Sequence, residues 1–161
     1  MYFSATTLLL FAASAAKGAV VPKDVSDYIW DVTQWQAGLS HGNPAAPITS
    51  WYAFTVSGSG YGTPGSESYI PAFGARCTGD GSGTPLSSEY SECAIDAGVT
   101  EAGGSVSARI VPDADFPHAH ISISHVFSNA NEPKNWTAIA ITDWARERPP
   151  YNFTLSPSGA L

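Results

Sequence analysis

Apolar residues in this chain recur at every second position in a series of short windows, and no stretch of about 12 residues carries them at helical spacing. Strict alternation puts successive side chains on opposite faces of a strand. "DYIWDVTQW" (27–35) places Tyr28, Trp30 and Val32 on one face, and "SWYAFTVSG" (50–58) does the same with Tyr52, Phe54 and Val56. "YIPAFGARC" (69–77) follows a glycine-rich turn, with Pro71 at an edge or bulge position. "YSECAI" (90–95) is short. "GSVSARIVP" (104–112) aligns Val106, Ala108 and Ile110, and "HAHISISHVFS" (118–128) aligns Ile121, Ile123 and Phe127. "NWTAIAITDWA" (135–145) and "YNFTL" (151–155) complete the set, while "GLSHGNPAAP" (38–47) reads as a loop. The expectation is an all-β domain: a single antiparallel β-barrel or sandwich of about seven to eight strands.

The first residues read differently. From Leu8 to Ala16 every residue but Ser14 is apolar, and no charged side chain precedes Lys17. The run is shorter than the ~20 residues that cross a bilayer. Ala13-Ser14-Ala15 fits the small-x-small cleavage rule. Residues 1–19 are therefore expected to be a signal peptide, cut between 15 and 19, and 20–161 a single secreted β-domain. No second long apolar run follows, so no membrane partner is expected after cleavage.

Secretion decides the reading of the two cysteines, Cys77 and Cys93, which enclose "TGDGSGTPLSSEYSE". In an oxidising compartment an even pair is expected to form a disulfide. Zinc wants four ligands, and no Cys-x-x-Cys or His-x-x-x-His lies nearby. Closure of a loop of this size stabilises a fold by roughly 3 kcal/mol in the chain-entropy view. Two further sequences match the rule for N-linked glycans in secreted proteins: Asn135-Trp136-Thr137 and Asn152-Phe153-Thr154.

Charge excludes some partners. Only 13% of residues are charged and the formal balance is −7, which argues against nucleic acid or an anionic membrane. Catalytic sets are also missing. Glu89 with Glu92, and Asp113 with Asp115, lack the apolar setting that tunes a carboxylate. Ser82 is not centred in a Gly-x-Ser-x-Gly elbow. With both cysteines paired no thiol nucleophile is left. His118 and His120 share a face and would suit a metal only with ligands from elsewhere, whereas His125 falls on the opposite face with Ile121 and Ile123. The expectation is no enzyme, no metal and no cofactor. Among the tryptophans, Trp30 and Trp136 read as core. Trp35, Trp51 and Trp144 read as covers for the ends of the fold, or as exposed platforms for a sugar or an anchor for a protein.

Several elements together resemble the major-allergen family of Alternaria, small secreted fungal proteins. They are the Tyr28-x-Trp30 first strand, the Phe73-x-x-x-Cys77 strand, the aromatic-flanked Cys93 beside Tyr90, and the alternating strands ending "NWTAIAITDW". The resemblance covers nearly the whole mature chain. It implies an all-β, non-enzymatic extracellular protein that acts as an allergen or effector by binding host extracellular defence proteins, or small phenolic ligands. A small-ligand or glycan-binding β-domain is the alternative. This chain lacks the family's second disulfide near the C-terminus. It also lacks a cysteine near the first strand, so no covalent dimer is expected.

Overall fold

Each alternating window becomes a strand with one buried face. The structure is a computed structural model that describes residues 27–40, 45–83, 85–100, 103–112, 118–144 and 152–160. The signal-peptide reading of 1–19 and the carboxylates Asp113 and Asp115 lie outside these residues. Among these residues ten strands follow in chain order: β1 (Trp30–Ser40), β2 (Thr49–Gly58), β3 (Phe73–Ser82), β4 (Ser91–Glu92), β5 (Ala94–Ile95), β6 (Ser105–Ile110), β7 (His118–Asn129), β8 (Glu132–Asp143), β9 (Phe153–Leu155) and β10 (Ser158–Ala160). Among the described residues none belongs to an α-helix, and none of them forms a helix long and apolar enough to cross a membrane.

The strands form two five-stranded sheets, ordered β5-β3-β2-β1-β9 and β10-β8-β7-β6-β4, with every pairing antiparallel. They do not close on each other, so the architecture is a sandwich rather than a barrel. Two strands exceed the eight that alternation marks. The "YSECAI" window splits around Cys93, and the C-terminal segment crosses from the first sheet to the second to add β10.

Trp30, Val32, Phe54, Val56 and Phe73 of the first sheet face Ile110, Ile121, Ile123 and Phe127 of the second, all at most 3% exposed. Burying a side chain of this size contributes roughly 1.5–3 kcal/mol. Tyr52 joins the two layers directly, because its hydroxyl donates to the Ala108 carbonyl at 2.9 Å. Beneath its ring lies its cross-strand partner Gly79, where an added Cβ would sit 2.4 Å from the phenol oxygen.

Several boundaries differ from the alternation. β1 runs on through Gly38–Ser40, which the turn residues marked as loop, because these residues pair with Thr49–Trp51. β3 starts at Phe73 and continues to Ser82, so the first five residues after Cys77 are strand, held against β2. The glycines there permit this close packing. Residues Ala130 and Asn131 form a two-residue turn joining β7 to β8, both with positive φ (52° and 66°). Opposed residues Asn129 and Glu132 close it, as in the primed turns that match strand twist.

Candidate functional site

The disulfide expected from sequence is present: Cys77 is bonded to Cys93, and both residues are buried. Its position explains its use. β4 belongs to the second sheet and β5 to the first, and Cys93 is the single residue between them. The backbone N–H of Cys93 still donates to Val106 of the second sheet at 2.8 Å, while its sulfur is bonded to β3 of the first. The bond fixes the point at which the chain changes sheet.

The outer face of the second sheet carries a transverse row of side chains. Arg109 on β6 opposes Ser122 on β7, which opposes Ile139 on β8. The guanidinium lies 4.7 Å from the Tyr90 ring centroid, and the Tyr90 and Ser122 hydroxyls are 2.8 Å apart. Ile139 and Ile141 stand out from this face, 52% and 60% exposed. His118 and His120 lie beside them, as parity requires. His118 Nε2 is 3.6 Å from the Asp143 carboxylate opposite it, and His120 is opposite Ile141. No group of three or more His, Cys, Asp or Glu residues converges on a common point among the described residues. Glu89 and Glu92 are exposed, and Ser82 is the exposed last residue of β3.

Asn135, of the first glycan-acceptor sequence, is exposed on this same face and accepts a hydrogen bond from the Ser124 hydroxyl at 2.8 Å. Asn152, of the second, is exposed beside the first sheet. Its Oδ1 accepts from the Gln34 N–H at 3.2 Å.

His125 faces the core, as its parity predicts. It is fully buried, stacked on Phe73 at 4.1 Å between centroids, with Trp30 and Phe127 around it. Burial without a charged partner pushes its pKa down to about 4, so it is neutral in the folded protein near neutral pH.

The outer face of the first sheet holds a shallow cleft of about 380 Å³ lined by Gln34, Gln36, Ala53, Phe54, Arg76 and Asn152. A bulge makes it. β1 spends two residues, Gln34 and Trp35, against one on β2, with Gln34 in the left-handed region at φ 55°. The extra residue flips the phase, so Trp35 turns inward and is fully buried, stacked on Phe54 at 4.9 Å. Trp144 is also buried. Of the three tryptophans the alternation left unplaced, Trp51 alone is exposed, at 47%. It lies across Gly38, its partner on β1, where an added Cβ would sit 2.4 Å from the indole nitrogen.

Arg76, Gln36 and the Tyr90–Arg109 pair were not singled out from sequence. The signal for Arg76 was present: the alternation that buries Ala75 and Cys77 turns Arg76 outward. Compared with protein-family models, with curated proteins and with solved structures, the chain matches none of them.

Proposed function

We propose that this chain is a secreted, non-catalytic recognition protein of the fungal allergen and effector type, and that it docks an extracellular host protein on the outer face of its second sheet. One observation carries the reading. Ile139 and Ile141 are more than half exposed on a regular strand, beside the Tyr90–Arg109 pair. Aromatic and arginine side chains next to exposed aliphatics are the residue types that anchor protein interfaces. The resemblance to secreted fungal allergens and the disulfide agree with an extracellular working place. Asn135 lies four residues from Ile139 on the same strand face, so a glycan there would border this surface.

Affinity capture tests the reading. The oxidised mature protein and an Ile139→Glu/Ile141→Glu variant are immobilised in parallel, and plant extracellular fluid is passed over both. A discrete protein held by the first and released by the second is expected. Equal retention on both surfaces, or retention on neither, would count against docking at this face.

A further inference from the structure

On the opposite side of the sandwich, we propose that the outer face of the first sheet is a binding site for a short acidic oligosaccharide, one bearing a uronic-acid carboxylate. The site runs diagonally from Trp51 to Arg76. On β2 the outward residues are Trp51, Ala53 and Thr55, and Arg76 of β3 is directly opposite Thr55. Four strand residues therefore separate the two ends, about 14 Å along the sheet. That span suits a few linked sugars better than one ring or one small phenol.

Each part of this surface has a matching chemistry. Trp51 offers an indole face flattened over Gly38, the kind of platform on which the C–H face of a pyranose stacks. Ala53 is a small floor. Gln36, opposite it, and Asn152, across the cleft, bring amide donors and acceptors to sugar hydroxyls. Arg76 supplies the charge. Among the described residues, Lys134 is paired with Glu132 and Arg109 lies on Tyr90, whereas no acid pairs with Arg76. An exposed guanidinium with no acid paired to it among the described residues, in a chain of net charge −7, is matched by a carboxylate held through two parallel hydrogen bonds. Asp80, opposite Trp51, gives the site a direction. It repels an acidic sugar at the Trp51 end and accepts from hydroxyls there, so the carboxylate lies at Arg76.

The test uses the full secreted chain carrying Thr154→Ala, which abolishes the glycan-acceptor sequence while keeping the Asn152 side chain. Trp51 is the exposed indole, the other four tryptophans being buried, so its fluorescence reports on occupancy in the parent chain and in Arg76→Gln, and titration calorimetry measures binding in these and in Trp51→Ala. The probes are trimers of galacturonate and of mannuronate, their methyl esters, and a neutral glucose trimer. An acidic trimer should alter the emission and bind more weakly as salt rises. Trp51→Ala and Arg76→Gln should each weaken it by about tenfold or more. In Arg76→Gln the acid and its methyl ester should bind alike. Unchanged thermal midpoints for both variants show that the fold is intact. The proposal is overturned if neither acidic trimer binds, if the ester or the neutral trimer binds as well as the acid to the parent chain, or if the two substitutions leave binding unchanged.

Discussion

The Tyr52 hydroxyl donates to the carbonyl of Ala108, 2.9 Å away on the facing sheet, and so ties the two layers through the interior. Burial first, and the Asp80 charge second, push its pKa up to about 12, and burial does the same for Tyr28. Both folded pKa values exceed the unfolded value of 10, so the folded chain keeps protons that the unfolded chain gives up. The stabilisation is fully present below pH 10 and is lost as pH rises towards 12, about 2–3 kcal/mol for each buried phenol. Tyr52→Phe should cost about 1–2 kcal/mol at neutral pH and make the alkaline decline shallower. Urea titrations from pH 7 to 11 measure both effects.

His125 sets an acid limit in the same way. Its folded pKa of about 4 lies below the unfolded 6.5, so the unfolded chain takes up a proton first as pH falls. Stability should fall from about pH 6.5 downward and level off below pH 4, with a total of about 3 kcal/mol. His125→Leu keeps an apolar side chain against Phe73 and removes the two ring nitrogens that lack partners. The variant should have a flatter stability profile between pH 4 and 6.5. A slope equal to that of the parent chain would show that His125 does not set it.

Ala130 occupies the left-handed region in the turn between β7 and β8. A side chain there costs roughly 1–2 kcal/mol. Ala130→Gly relieves that cost, although it also gives the unfolded chain more freedom to lose. The expected net gain is about 0.5–1 kcal/mol, read as a shift of the denaturation midpoint with an unchanged slope.

Removal of the disulfide with Cys77→Ser/Cys93→Ser should destabilise the domain by about 3 kcal/mol. Hydrogen exchange should quicken in 85–95, where the strands are two residues long, and change little in Thr78–Ser82, which β2 holds in register. Intact mass of the parent chain, with and without reduction, should differ by the two hydrogens of one disulfide.

Sequence alone determined the class of fold and most of the faces. Alternation is local, so a window such as 118–128 marks Ile121, Ile123, His125 and Phe127 as one face without reference to any other strand. The cysteine pair was legible for a similar reason, because the expected oxidising compartment and the spacing leave few other uses for it. Glycine hid part of the plan: the residues after Cys77 look like loop until Tyr52 is seen to need a partner without a Cβ at Gly79. What tertiary structure decided is non-local. Trp35 and Trp51 are chemically identical and both lie in alternating windows, yet one is fully buried and the other 47% exposed. An extra residue at Gln34 shifts the pairing of β1 with β2, and only that pairing turns Trp35 inward. The sheet change at Cys93 and the meeting of Arg76, Gln36 and Asn152 depend likewise on which strands become neighbours. That choice is made by the packing of two apolar faces against each other, and no single window of the chain contains it.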